Sequence, residues 1–504
     1  MPTYLSPGVY VEEVEAGARP IEGVGTAVAA FVGFAARGPF NTPTLVSNWA
    51  QYTQVFGDFV EDCYLAQSVY GYFLNGGTNC YVVRIGGERD DEAGEPTGPE
   101  AVLGGYRVRA KELGAPEITV EVADATGENP PDDRFTLLVK QNGKVVETHS
   151  VSTKRTKENV VTVVREKSNL ITAEETSSAP ARPDRGAVTL RETPAAAPTP
   201  RRIAADDYVG DVADRTGFGG LEAVEEITAV AVPDLMGAHQ RGLIPAESVK
   251  AVQLAMIAHC ELMGNRVAIL DPPPGLSPQQ VRDWRQGVAG YDSKYAALYY
   301  PWIKVFDPVS DEHVFVPPSG HVAGVWARTD GTRGVHKAPA NEVVRGAVAL
   351  ETQLTKAEQE LLNPIGVNCV RSFPGRGIRV WGARTLSSDP AWRYLNVRRL
   401  FNYLEESILN GTQWVVFEPN DDALWARIRR TISAFLVTEW RKGALFGLTP
   451  DEAFYVKCDR ETNPAESIDL GQVVCEVGVA PVKPAEFVVF RLAQISGGTS
   501  LVNE

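Results

Sequence analysis

From residue 226 onward, short apolar runs alternate with segments in which apolar side chains recur every three or four positions. The runs lack regular polar positions, which is typical of strands buried on both faces, and they are residues 226–234, 265–271 and 294–307. The segments 245–264 and 277–288 predict helices; Ser277, Pro278 and Gln280 form a capping box with proline at the first helical position. Strands and helices in alternation predict a parallel sheet covered on both faces.

This pattern assigns residues 26–90 and 203–360 to one α/β middle domain. Residues 91–202 interrupt it, with polar, Gly- and Pro-rich stretches at both ends. Within them, Asn142-Gly143 lies between two strand-like runs and predicts a hairpin. We expect a β-rich domain with a flexible linker, inserted in a surface loop and peripheral to the rest, because such insertions cost little stability.

The two ends of the chain show strand patterns next to polar or Gly/Pro-rich joints. Residues 1–25 are predicted to be an N-terminal strand arm, since apolar and polar positions alternate after Pro7. Residues 361–504 are predicted to be an α+β core domain that ends in a C-terminal strand arm. Its predicted helices are 389–411 and 420–443, the second capped by Asn420. Its predicted strands are 376–385, 412–420, 471–483 and 485–494.

Composition narrows the possible classes of protein. The 504 residues are 44% hydrophobic and 22% charged, which is ordinary for a globular protein, and the net charge is −15. An acidic chain argues against nucleic-acid binding, which needs clustered Lys and Arg. The six cysteines have neither metal-site nor redox spacing, so no cofactor or metal is expected. The N-terminal residues do not match a signal peptide, and we expect a protein that begins inside the cell.

The stretch Ser-Gly-His-Val-Ala-Gly at 319–324 resembles the start of two catalytic helices in subtilisin-type proteases. Counting back from His321 places Val316 where the nucleophile would be and Pro318 where the catalytic histidine would be. Neither side chain can attack or accept a proton, so no catalytic residue is predicted. Ser319 is expected to cap a helix instead. Asp234, Asp271 and Asp307 end predicted strands without a phosphate-binding loop, and we expect turn formers.

Several long stretches closely resemble contractile tail sheath proteins of bacteriophages, phage-tail-like bacteriocins and contractile injection systems. They include SPGVYVEEV near the N-terminus, VPPSGHVAGVWARTDGTRGVHKAPAN, GTQWVVFEPND and KPAEFVVFRL. The resemblance covers the arm and residues 26–90 and 203–504, and it is weak over 91–202. It implies a middle domain that is subtilisin-like in fold without being a protease. The alternative is a soluble α/β hydrolase-like or ligand-binding protein.

The resemblance also implies an assembly. Sheath subunits stack around an inner tube as six-fold rings or a six-start helix, and contraction drives the tube through a target envelope. The partners would be other copies of the chain, the inner tube, baseplate and terminal cap proteins, without nucleic acid or membrane insertion. Assembly would take place in the bacterial cytoplasm. Each subunit would lend terminal strands to its neighbours, and the apolar residues of those strands here are Val9, Val11, Phe487, Val488, Val489 and Phe490.

Contraction requires joints between arms and cores. The predicted hinges are Gly17, Gly23 and Gly25 on the N-terminal side, where glycine permits changes of φ and ψ, and Pro481 and Pro484 on the C-terminal side. The helix at 420–443 is expected to pack on its domain through apolar residues and to face the tube with basic ones. The basic residues are Arg427, Arg430, Arg441 and Lys442.

Overall fold

A computed structural model of the chain separates it into two compact units. The main unit comprises Met1–Gly86 and Arg201–Glu504, and the inserted unit comprises Gly87–Pro200. The structure describes residues 20–86, 99–111, 118–125, 131, 133–141, 143–154, 156–176, 182–190, 203–308 and 310–491.

A nine-stranded sheet is the centre of the main unit. Its strands, in spatial order, are Glu342–Val343, Gly377–Val380, Val367–Phe373, Ala296–Tyr300, Val267–Leu270, Ala229–Ala231, Ala29–Gly33, Cys80–Arg84 and Thr44–Val46. The six strands from Val367–Phe373 to Cys80–Arg84 are parallel, and antiparallel strands close both edges. Apolar clusters line both faces, which confirms the parallel sheet predicted from the apolar runs.

This sheet continues past residue 360, where the sequence pattern placed the end of the middle domain. Val367 pairs with Leu298, and Val370 on the same strand pairs with Val380. The apolar run that begins at Val367 thus extends the open edge of the same sheet. The split at 360/361 is therefore wrong as a boundary of the sheet, because sequence distance does not indicate which edge a strand joins.

Helices and a small second sheet cover the large sheet. The helices of this region are Trp49–Phe56, Leu65–Asn75, Ala205–Val209, Asp234–Gln240, Ala246–Met263, Pro278–Asp283, Ser319–Arg333 and Lys356–Leu362. The second sheet consists of Ile303–Asp307, Glu312–Val316 and Ala347–Leu350. The predicted capping box is present: Gln280 N donates to Ser277 Oγ at 3.3 Å, and Ser277 N donates to Gln280 Oε1 at 2.8 Å.

The C-terminal part of the main unit is mostly helical. Its helices are Leu395–Gly411, Asp422–Arg441, Pro450–Ala453 and Ala465–Asp469, and its strands Phe454–Lys457 and Glu476–Val479 pair antiparallel. Two expectations are wrong here. Asp421, not Asn420, caps the long helix through Leu424 N at 2.8 Å. Residues 412–420 contain a helical turn, Gln413–Val415, and not a strand. Residues 485–491 pair with no strand among the described residues, and the predicted exchange strand at this end stays a prediction.

The described residues of the inserted unit form two antiparallel sheets and one helix. One sheet orders Gly186–Thr189, Ile118–Asp124, Arg134–Gln141 and Lys144–Ser152; the other orders Glu100–Leu103, Tyr106–Ala110 and Ile171–Glu175. Side chains of the two sheets form an apolar core, and the helix Val160–Lys167 packs on it. Gln141 pairs with Lys144, and Gly143 has φ 78°, so the predicted hairpin forms; Asn142 lies outside the described residues.

Candidate assembly surfaces

The protease-like stretch at 319–324 packs two helices together. A Cβ on Gly320 would lie 2.4 Å from Ser68 Cα, and one on Gly324 would lie 2.4 Å from Tyr72 O. Ser68 and Tyr72 belong to helix Leu65–Asn75, so the two glycines permit the close approach of its backbone to helix Ser319–Arg333. The resemblance to a catalytic sequence has a packing explanation at these positions.

The predicted cap at Ser319 is wrong. Ser319 is the first residue of the helix, and its backbone N–H donates at 3.1 Å to Oδ1 of Asp271, which follows the neighbouring strand Val267–Leu270. A carboxylate at a helix N-terminus serves the same purpose as a capping side chain. Burial raises the pKa of Asp271 to about 7.

His321 is buried among apolar residues. Burial lowers its pKa to about 4, and its Nδ1 atom has no hydrogen-bond partner among the described residues. Val316, at the position of a nucleophile, is also buried. Val316 cannot act as a nucleophile, and no described group orients His321 as a base through Nδ1.

The other two strand-end aspartates hold backbone and loop groups. Asp234 is fully buried; its Oδ2 accepts from Phe34 N at 2.7 Å and its Oδ1 accepts from Tyr64 N. Burial raises its pKa to about 6. Asp307 Oδ2 accepts from the Ser310 hydroxyl at 3.0 Å. Among the described residues, no group of His, Cys, Asp and Glu side chains is arranged to hold a metal ion.

The N-terminal segment 20–26 lies against helix Leu395–Gly411. Val24 N donates to Ser407 Oγ at 3.1 Å, and Ile21 is buried against Gly411. A Cβ on Gly23 would lie 2.0 Å from the Tyr403 hydroxyl, whereas one on Gly25 would meet nothing within 4 Å. Gly23 is thus a packing position in this structure, and Gly25 has free space. Val9, Val11 and Gly17 lie outside the described residues.

The C-terminal segment, defined here as residues 480–491, is attached by its first half. Phe446 N donates to Ala480 O at 2.7 Å, and Val482 N donates to Ala444 O at 3.2 Å, with Pro481 opposite Leu445. These bonds hold the predicted hinge residue Pro481 against the loop that follows the long helix.

Glu486 anchors the same segment further along. Arg384 donates from Nε to Oε1 at 2.9 Å and from Nη2 to Oε2 at 2.6 Å. Asn363 Nδ2 donates to Oε1 at 2.9 Å, and the Tyr394 hydroxyl donates to Oε2 at 3.3 Å. Burial favours a higher pKa, but the hydrogen bonds from Arg384 and Asn363 outweigh it and lower the pKa of Glu486. Bidentate Arg–carboxylate geometry makes this a specific attachment, and Pro484 lies between it and Pro481.

The four residues after Glu486 are apolar and in solvent. The exposed fractions are 74% for Phe487, 67% for Val488, 78% for Val489 and 83% for Phe490. Folded chains seldom leave such a run uncovered. The structure places all four predicted exchange residues of the C-terminal end together at one exit point.

Further apolar side chains of the C-terminal part are exposed, and no sequence pattern predicted them. Phe417 is fully exposed with φ 69°, and the others include Phe446, Leu448, Tyr455 and Leu470. Tyr455 belongs to the two-stranded sheet, opposite Gly478. In the sequence, the apolar run 444–448 between a charged helix end and Pro450 could have indicated the exposed Phe446 and Leu448.

Helix Asp422–Arg441 buries the apolar face predicted for it. The buried residues include Leu424, Ile428, Phe435 and Leu436. On the other side, Arg427 Nη2 donates to Glu418 Oε2 at 2.7 Å, and the guanidinium lies 4.6 Å from the centroid of the Trp414 ring. Arg427 therefore already has partners within the chain.

The remaining basic residues of this helix differ in their pairing. Lys442 Nζ lies 2.8 Å from Oε1 of the buried Glu439. Arg430 and Arg441 are exposed, and neither forms an ion pair with a described residue. Of the four predicted tube-facing residues, these two have charges without an acidic partner in the described part of the chain.

Two family models match consecutive parts of the chain. The phage tail sheath protein central domain matches residues 221–386, and the phage tail sheath C-terminal domain matches residues 387–495. The chain belongs to the phage tail sheath family. The family places it among structural proteins and not enzymes; the alternative of a hydrolase or ligand-binding protein is not supported.

Relatives and solved structures extend the match. The tail sheath protein of Burkholderia phage BcepMu is 25% identical over 96% of this chain and 95% of its own length. That of Vibrio phage KVP40 is 27% identical over 45% of this chain and 35% of its own length. The helical sheath of the anti-feeding prophage in its contracted state is 25% identical, with TM-score 0.60 over 98% of this chain and 100% of that chain. The contracted sheath complex of an extracellular contractile injection system, PVC, is 23% identical with TM-score 0.59.

No helix in the described ranges of the chain is long and apolar enough to cross a lipid bilayer.

Proposed function

We propose that this chain polymerises around an inner tube as six-fold rings or a six-start helix, and that contraction of the sheath drives the tube through a target envelope. The contracted helical sheath of the anti-feeding prophage, similar over nearly the whole chain, supports this function. A baseplate structure of the same particle is also similar, which favours baseplate contacts beside those with other copies, the tube and a terminal cap. Assembly in the bacterial cytoplasm is part of the proposal.

The exposed run Phe487–Phe490 is the observation that carries this proposal. We propose that it pairs with the sheet of a second copy of the chain, and that Val9 and Val11 do the same from the other end. Strand addition gains main-chain hydrogen bonds. Burying each Val or Phe side chain contributes roughly 1.5–3 kcal/mol before the cost of ordering. Both ends of a subunit would then interlock with neighbours.

The contacts of Glu486 argue for a turn of the C-terminal arm at a later position than the hinge predicted at Pro481 and Pro484. Pro481 lies within the attachment at Ala480–Val482, and Pro484 lies between it and the attachment at Glu486. We propose that the arm turns after Glu486 and not within 478–484, so that Arg384 sets the direction in which Phe487 leaves. On the N-terminal side Gly25, with free space around it, remains the better hinge candidate than the packed Gly23.

The parallel sheet and the glycine-mediated helix packing favour a subtilisin-like arrangement of the middle domain without catalysis. We further propose that the inserted unit is peripheral and faces away from the tube. Arg430 and Arg441 have no ion-pair partner in the described part of the chain, which favours helix Asp422–Arg441 as the tube-facing element.

Replacing Phe487 and Phe490 with Ser tests the interlocking proposal. The purified variant should remain folded, because both side chains are exposed, yet should form no tubes or rings in negative-stain electron micrographs. The matched control replaces Val145 and Val146, which are 51% and 54% exposed in the inserted unit, with Ser. The control should assemble as wild type does. Normal sheaths from the Phe487 and Phe490 variant would contradict the proposal.

A further inference from the structure

We infer that Cys458 and Cys475 form a disulfide when the protein meets a small disulfide oxidant. Lys457 pairs with Glu476 at the end of the antiparallel hairpin, and the two cysteines occupy the next opposed positions. Opposed residues of such a pair have Cα atoms about 4.5–5.5 Å apart, within the range of about 4.4–6.8 Å that disulfides span. The two thiols lie close enough for each to affect the pKa of the other.

Asn463 holds the two cysteine-bearing strands together. Its side chain is buried; Oδ1 accepts from Val474 N at 2.6 Å, and Nδ2 donates to Val474 O at 3.0 Å. Nδ2 also lies 3.8 Å from Cys458 Sγ. This residue therefore attaches the neighbour of Cys475 to Cys458 independently of the strand ladder.

The unequal exposure of the two thiols sets an order of reaction. Cys458 is fully buried, and Cys475 is partly exposed. The Cys475 thiolate attacks one sulfur of oxidised glutathione, which breaks that disulfide and releases one glutathione thiolate. The Cys458 thiolate then displaces the second glutathione from the mixed disulfide. The protein loses two protons and two electrons, and the oxidant is reduced to two thiols.

Burial raises the pKa of Cys475 to about 12, so little thiolate is present near neutral pH. The first step should therefore accelerate about tenfold per pH unit between pH 7 and pH 9. The disulfide would close the hairpin immediately before the C-terminal segment. The inference rests only on contacts within this hairpin, so it does not depend on the proposed sheath function.

The test treats the full chain with oxidised glutathione at pH 8.5, quenches it and alkylates it in denaturant. A cross-linked peptide containing Cys458 and Cys475 is expected, while Cys260 and Cys369, both buried, stay alkylated in all samples. The oxidised protein should unfold several degrees higher than the reduced protein, and Cys475→Ser should lose this gain. If Cys475→Ser fails to fold, Cys475→Ala replaces it as the comparison variant. In either case the peptide map of the wild-type protein decides whether the disulfide forms. Glutathione retained on Cys475, or both thiols still alkylated, would overturn the inference.

Discussion

Single buried carboxylates organise the edge of the large sheet. Asp271 accepts from the first backbone N–H of helix Ser319–Arg333, and Asp234 accepts from Phe34 N and Tyr64 N. Each carboxyl group accepts hydrogen bonds from backbone N–H groups that would otherwise be buried without a partner. Burial removes water from both carboxyl groups, and this desolvation raises their pKa above the ordinary range for aspartate.

Asp271→Asn should change how stability depends on pH. Between about pH 4 and pH 7 the folded wild type retains a proton that the unfolded chain has lost, so its stability falls as pH rises through this window. The amide oxygen can still accept from Ser319 N but does not titrate. From pH 4 to pH 8 the variant should gain on the order of 1–4 kcal/mol relative to wild type in urea unfolding. Parallel pH profiles of the two proteins would show the interpretation to be wrong.

Gly23→Ala should loosen the N-terminal segment. The new Cβ would overlap the Tyr403 hydroxyl, 2.0 Å away, and such overpacking costs about 1–3 kcal/mol. Gly25→Ala is the matched control, because open space surrounds it. Thermal unfolding and limited proteolysis near residue 20 measure the difference. Equal behaviour of the two variants would mean that the segment is not docked as described.

Helix Asp422–Arg441 has an apolar face and a basic face. Its apolar face packs on the core, and its opposite face presents basic residues, of which Arg427 is already paired with Glu418. An ion pair within the chain reduces the charge available to a partner, so Arg430 and Arg441 are the better candidates for contact with an acidic surface.

Arg430→Glu should therefore weaken assembly on the inner tube more than Arg427→Glu does. The first change reverses an unpaired charge, whereas the second removes an exposed intrachain pair worth roughly 0–1 kcal/mol of stability. Sedimentation of tube-bound sheath at low and high salt measures assembly, and urea unfolding measures monomer stability. Should the two variants bind the tube equally well, the helix is not the tube-facing element.

At the scale of the whole molecule, two units with separate cores share one chain. The inserted unit buries its own apolar cluster, and the main unit joins residues on both sides of it into one sheet, with Ala30 pairing with Val230. Each unit therefore has the core that independent folding requires.

Removing residues 94–200 and joining the ends with a short Gly/Ser linker should leave the main unit folded. The large sheet should retain its register, because none of its strands lies in the deleted range. The truncated protein should still form sheaths with the inner tube, seen as striated tubes by electron microscopy. A folded truncated protein that never assembles would assign the inserted unit an essential role in the sheath.

Local pattern was sufficient for several conclusions. The period of the apolar residues predicted the parallel sheet and its helices, and the Asn142-Gly143 turn predicted the hairpin, because element type depends on side chains only a few positions apart. Counting from His321 to Val316 and Pro318 excluded a protease without any structure. Long matched stretches identified the sheath family, which the family models confirm.

Tertiary structure decided the rest, because it depends on which distant residues meet. The cap of helix Ser319–Arg333 comes from Asp271, 48 positions earlier, and the anchor of Glu486 comes from Arg384, 102 positions earlier. The strand-like run 412–420 joins no sheet of the described residues, and Val367–Phe373 joins the middle sheet across the expected boundary. Periodicity specifies what an element can be, whereas packing geometry and burial select its partner.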